Sequence, residues 1–159
     1  MVKDEPSKLR MVFSRAFVLI YIMNMLSVIT GYFTVNNFKK FAQLNDIRNE
    51  NYLAWVGSAA AVFNAIRFIW SFATDYFSYK SVYSVLLVIQ IVLSFTMGLV
   101  DTSPVLFAIW VSLLMFCEGG HFTLIPNALK KIYGSENGTA LYGIAFSFSG
   151  ICSILMLIL

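Results

Sequence analysis

Arg67 is the side chain whose chemistry stands out first. It lies inside an apolar run, Tyr52 to Ala73, with Asn64 one turn before it and Ser71 one turn after it. Gly57, seven residues ahead of Asn64, continues the stripe, and residues at these spacings share one face of a helix. Arginine keeps its charge and presents a planar fork of donors that fits a carboxylate, so the pattern suits capture of an organic anion. Two plainer roles use the same residues: pairing with an acid on another helix, or snorkelling to an interface roughly 10 Å away at 1.5 Å per residue. Glu118 and His121, three apart in another apolar run, form a second candidate. A carboxyl and an imidazole on one face can relay protons, because histidine changes charge near neutral pH. They can equally pair with each other, or with Arg67, to hold helices together. Asn24, Ser27 and Gly31, and separately Gly143, Ser147 and Gly150, repeat at helical spacing. Small residues so placed pack helices closely or line a water-filled path. Gly119, Gly120 and Pro126 weaken their run locally, as a packing kink or as an interruption that frees backbone groups for a substrate.

Other chemistries have no residues to serve them. His121 is the single histidine, and Cys117 and Cys152 lie in separate apolar runs. That leaves no metal set, no disulfide framework and no nucleophile with its base. The expectation is a protein with no metal or cofactor that is not an enzyme. A net charge of +3, scattered along the chain, gives no nucleic-acid footprint.

The elements that carry these residues follow from composition. Of 159 residues, 59% are hydrophobic and 12% charged, where a soluble domain needs roughly 25% charged residues to wet its surface. The chain therefore belongs in a lipid bilayer. A membrane helix needs about 20 apolar residues, and five runs supply them: 12–35, 52–73, 82–100, 105–128 and 139–159. They are too long, and alternate too little, for barrel strands. The polar stretches between them (36–51, 74–81, 101–104 and 129–138) are too short to separate domains. The expected fold is all-α: one polytopic transmembrane bundle over 1–159. The first run is too long for a cleaved signal peptide. The last ends at Leu159 with no polar flank, which favours a piece of a longer protein over a true five-span chain.

Basic residues set the expected orientation. Lys3, Lys8, Arg10, Arg15, Lys80, Lys130 and Lys131 fall on one side, and Lys39, Lys40 and Arg48 on the other. Seven against three places the N-terminus in the cytosol. Nothing in the sequence addresses an organelle, so the plasma membrane is the default.

The string Phe63-Asn64-Ala65-Ile66-Arg67-Phe68-Ile69-Trp70-Ser71-Phe72-Ala73-Thr74-Asp75 resembles the eighth helix and following turn of major facilitator transporters. The similarity is to the oxalate/formate antiporter branch, with its N-G-x-x-R-x-x-W-G-x-x-S-D pattern. Monocarboxylate transporters carry a related intramembrane arginine. Phe116 to Pro126 and then Ile132-Tyr133-Gly134 resemble that branch's tenth helix and its exit. Tyr142-Gly143 followed by Gly150 resembles its eleventh. The resemblance implies helices seven to eleven of a twelve-helix transporter, with an N-terminal six-helix half and a twelfth helix as missing partners. It implies that the turn from Asp75 to Lys80 is the cytosolic latch of the superfamily, although Ser71 and Ser78 stand where glycine is usual and Tyr76 where a basic residue is common. It also aligns Ser149 with a lysine that helps some members bind a second carboxylate. Serine there tilts the expectation from dicarboxylates to a monocarboxylate. The function expected is a secondary transporter, or its C-terminal half, moving a small organic anion by alternating access. Arg67, Asn64, Ser71, Asn24 and Ser149 would bind substrate; Glu118 and His121 offer a proton-coupling pair, with structural packing or pairing the favoured role. The alternative is a non-transporting membrane subunit or degenerate fragment that serves as packing surface in a larger complex.

Overall fold

The computed structural model describes residues 8–100 and 103–158; Lys3, Asp101 and Leu159 lie outside them. A single turn, α1 (Lys8–Val12), precedes α2 (Arg15–Leu44), the first crossing. The second is formed by α3 (Glu50–Ala65) and α4 (Phe68–Tyr76) together, and the third by α5 (Tyr79–Thr96) with a 3-10 turn, Met97–Leu99. The fourth is α6 (Pro104–Tyr133), and the fifth is α7 (Ser135–Ala145) with α8 (Ser147–Ile158). All five crossings are long and apolar enough to span a membrane. The chain is an all-helical, multi-pass membrane protein.

Local chemistry places the ends. Ser14, Asn49 and Ser78 cap α2, α3 and α5, each accepting from a backbone N–H three residues on, at 3.3, 3.1 and 3.2 Å. Such caps satisfy donors that the first turn leaves orphaned. Pro104 opens α6, where its missing N–H costs nothing. α2 ends in a left-handed residue, Asp46 (φ 62°), followed by Ile47, whose N–H reaches back to the Ala42 carbonyl at 2.9 Å. This wrap satisfies late carbonyls of the helix.

The helices outrun the apolar runs. α2 continues from Asn36 to Leu44, α6 continues past Ala128 to Tyr133, and α7 starts at Ser135 rather than Thr139. Thirty residues of α2 make roughly 45 Å at 1.5 Å per residue, which matches the bilayer with its headgroup layers. Hydropathy falls where hydrocarbon ends, whereas the helix continues until a cap stops it. The stretches 36–51 and 129–138 are therefore mostly helix. Between α6 and α7 only Gly134 remains, at φ 84°.

The interruptions also fall elsewhere than expected. α6 is continuous through Gly119, Gly120 and Pro126. The broken crossings are the second, at Ile66–Arg67, and the fifth, at Phe146. At the first break Arg67 N–H bonds the Asn64 carbonyl at 3.2 Å and Trp70 N–H bonds the Arg67 carbonyl at 3.0 Å; these are the i to i−3 bonds of a tightened turn. The two glycines of α6 instead let the second crossing approach. A methyl carbon at position 119 would lie 2.7 Å from Arg67 Cβ and 2.9 Å from the Asn64 carbonyl oxygen. One at position 120 would lie 2.8 Å from the Trp70 ring.

α6 is the central helix: 56% of its apolar stretch is buried, against 22–28% for the other crossings. It joins three apolar clusters. Ile125 and Leu129 meet Phe17, Val28, Leu141 and Phe148 of crossings one and five. Phe107 and Val111 meet Ala42, Leu53 and Val56 of one and two. Leu124 and Cys117 meet Trp70, Val82 and Leu86 of two and three. Outward residues such as Trp55, Val88, Val92 and Phe95 stay exposed, as lipid-facing side chains do. Described basic residues Lys8, Arg10, Arg15, Lys80, Lys130 and Lys131 fall at one end of the bundle, and Lys39, Lys40 and Arg48 at the other.

Candidate functional site

The seam between the second and fourth crossings holds the first set of polar side chains. Asn64 donates to the Met115 carbonyl at 3.1 Å, Trp70 Nε1 donates to the Phe116 carbonyl at 3.1 Å, and Asn127 donates to the Ser71 hydroxyl at 2.8 Å. Asn64 and Ser71 thus stitch the two helices on either side of the break. Arg67 sits at the break itself, its stem against Gly119 and its residue exposed. Among the described residues it makes no hydrogen bond and no salt bridge; the one ion pair found there is Arg48–Asp46, 2.9 Å, in the loop after α2. Arg67 is therefore paired with neither Glu118 nor His121. A cavity of about 290 Å³ opens beside Asn64, lined also by Gly57, Ala60, Thr34, Phe38 and Met115.

A second polar set is buried where crossings one, three and four meet. His121 Nε2 lies 2.7 Å from Gln90 Oε1, and His121 Nδ1 lies 3.2 Å from the Tyr83 hydroxyl. Gln90 Nε2 donates to the Ser27 carbonyl at 2.8 Å, and Tyr83 donates to Asn24 Oδ1 at 3.2 Å. Asn24 and His121 are fully buried and Gln90 nearly so. Glu118 is buried as well, and neither carboxylate oxygen has a partner. Its side chain fills the space over Gly31 of the first crossing. Glu118 and His121 therefore do not bond each other.

The structure thus divides the residues singled out from the sequence. Arg67, Asn64 and Ser71 are brought together. Asn24 joins His121 through Tyr83. Ser149 is apart from both, its hydroxyl bonded to Tyr32. Asp75 and Lys80 are exposed and have no hydrogen bond or ion pair among the described residues; Ser78 and Ser81, bonded at 2.8 Å, order that turn. Asn24, Ser27 and Gly31 form a packing face. Gly143 and Gly150 have open space around them, while Ser147, between them in the stripe, meets the Tyr21 hydroxyl of the first crossing at 3.1 Å. Tyr83, Gln90 and Asn127 are not among the site residues expected from the sequence. For Tyr83 and Gln90 the signal is present: they stand seven apart, on one face of a run with no charge.

No family model matches the chain, and no solved structure matches it. It is similar to the apicoplast pyruvate carrier 1 of Toxoplasma gondii, with 30% identity over 102 residues. The match covers 63% of this chain and 19% of that protein. The chain thus spans about a fifth of the length of the curated relative it matches.

Proposed function

We propose that this chain is part of a membrane transporter that moves a small organic anion, a monocarboxylate of the pyruvate class, and that Arg67 receives the carboxylate. The observation that carries this reading is the state of Arg67. A permanent cation lies inside a crossing, at a helix break, with its stem packed on Gly119 and no acid beside it. Holding such a charge unmatched among apolar helices costs several kcal/mol, and ionisable groups so placed mark ion and substrate paths. A carboxylate supplies the missing charge through two parallel charge-assisted bonds. The name of the similar carrier supports the same substrate class, and its apicoplast assignment favours an organellar membrane over the plasma membrane.

Asn64 and Ser71 position the break by tying both its sides to the fourth crossing. Broken helices meeting at a substrate are a recurrent device of secondary transporters, which rock one bundle against another. The resemblance to major facilitator transporters favours that mode, with a second bundle facing Arg67 and the open Gly143 and Gly150. Glu118 and His121 are the groups proposed to couple protons. Chemistry on the substrate is not part of this reading: the chain acts as a carrier and not an enzyme.

The substrate assignment is tested with Arg67→Lys in the complete protein. Lysine keeps the charge and loses the fork, so the apparent KM for pyruvate should rise about tenfold or more while the protein still inserts. An unchanged KM contradicts the assignment. Proton coupling is tested with Glu118→Gln, which should leave uptake insensitive to an inward pH gradient; a gradient dependence equal to wild type contradicts it.

A further inference from the structure

We infer that the buried cluster around His121 is a proton-binding site with one vacancy, at Nδ1, and that filling it ties the first crossing to the third through Tyr83. Gln90 uses its amide nitrogen on the Ser27 carbonyl at 2.8 Å, so the oxygen that faces His121 at 2.7 Å is an acceptor. His121 must then carry a proton on Nε2, and in the neutral ring Nδ1 holds a lone pair. Asn24 uses its amide nitrogen on the Ile20 carbonyl at 2.8 Å, so the oxygen facing Tyr83 is also an acceptor. The Tyr83 hydroxyl lies 3.2 Å from Asn24 Oδ1 and 3.2 Å from His121 Nδ1, two acceptors at equal distance. It has a single proton to give. With neutral His121 one of the two acceptors goes unserved.

A proton arriving on Nδ1 resolves the conflict. The ring then donates from both nitrogens, to Gln90 Oε1 and to the Tyr83 oxygen, and the tyrosine proton stays on its own oxygen and turns wholly to Asn24. Every member is satisfied, and Asn24 of the first crossing is held by Tyr83 of the third only in this state without competition. No bond to carbon forms or breaks; one proton is taken from water and returned to it. The titratable groups around the ring are Tyr83 and Tyr79 on the third crossing and Cys117 and Glu118 on its own helix. The first crossing presents the neutral Asn24 and Ser27. Arg67 of the second lies against Gly119, and the fifth carries Tyr142 beyond Phe122. Glu118, with both oxygens unpartnered, is the adjoining acid, three residues before His121 on the same helix.

The inference deepens the coupling role proposed for His121, but it is read without transport, so its failure is distinct from a failure of the carrier assignment. His121 is the single histidine, which lets histidine-15N NMR of the full chain in lipid nanodiscs report on it alone. At alkaline pH the ring should be neutral with its proton on Nε2, and on acidification a second proton should appear on Nδ1. Tyr83→Phe removes the accepting oxygen, and Asn24→Ala removes the oxygen that receives the tyrosine proton. Each should lower the ring's affinity for the second proton about tenfold, read as the imidazolium fraction at fixed pH. A neutral ring protonated on Nδ1 overturns the proposal even if neither variant folds. So does an imidazolium fraction that matches wild type in either variant.

Discussion

The carboxyl of Glu118 occupies the space that a side chain at position 31 would fill. Built onto Gly31, a methyl carbon would run into the whole end of the glutamate, and Glu118 is 4% exposed, so little room is left for it to turn away. Gly31→Ala should therefore destabilise the bundle by about 1–3 kcal/mol, the usual cost of overpacking. Adding Glu118→Ala should recover most of that loss, because the two changes share one space and are not additive. Thermal melting of the four proteins in detergent measures both effects; a double variant no better than Gly31→Ala alone would show that the clash is not with Glu118.

Gly119 and Gly138 are less able to yield, because backbone faces them. A methyl carbon at 138 would lie 2.6 Å from Lys130 Cα and 2.6 Å from its nitrogen, and at 119 the Asn64 carbonyl blocks the way. Gly138→Ala should lower the melting temperature, whereas Gly143→Ala, which meets open space, should not. Gly119→Ala should in addition disturb Arg67, read as a rise in the apparent KM for pyruvate beyond any loss of stable protein.

Gln90→Leu removes both an acceptor and a donor from a buried position. His121 Nε2–H and the Ser27 carbonyl would be left unpaired, at about 1–3 kcal/mol for a buried orphan, offset partly by other partners found within the membrane. The expected result is a melting temperature lower than that of Ile89→Leu, an exchange on the lipid-facing side of the same helix. Equal melting of the two variants would show that the Gln90 bonds carry no net stability.

The class of the fold was legible because length and hydropathy alone decide it: no other structure hides the backbone of five such runs from lipid. The helix ends were not. Residues such as Asn36, Lys39 and Lys40 read as loop by polarity, yet they ride on α2 through the headgroup layer. Breaks were misread for a related reason. Gly119-Gly120 and Pro126 are the residues that weaken a helix in isolation, but tertiary contact decides where weakness is spent. The glycines serve close approach, and the break falls opposite them, at Ile66–Arg67, where no single residue announces it. Arg67, Asn64 and Ser71 could be grouped because one helix face carries them. Asn24, Tyr83, Gln90 and His121 come from three helices, and pairing between helices is not written in the spacing of any one of them.

The basic residues at the two ends give an expected orientation, N-terminus in the cytosol, that labelling can test. Arg48→Cys, in a loop where the arginine side chain is 75% exposed, should react with an impermeant thiol reagent applied outside the membrane that holds the protein. Ser135→Cys, at the other end, should react only after permeabilisation, in a background where Cys117 and Cys152 are buried. Reaction of both from outside would contradict a five-crossing topology, and reaction of Ser135→Cys alone would invert it.

The unpaired charge of Arg67 is proposed to serve the substrate's carboxylate. Uptake of labelled pyruvate by the complete protein in liposomes, comparing wild type with Arg67→Gln at matched amounts of folded protein, tests it most directly. Glutamine keeps polarity and length near the Gly119 contact and deletes the charge, so uptake should fall to the level of empty liposomes, at least a hundredfold below wild type, in line with about 3 kcal/mol for a lost charged bond. Pyruvate uptake at the wild-type rate through Arg67→Gln would show that the arginine serves structure and that the anion passes elsewhere.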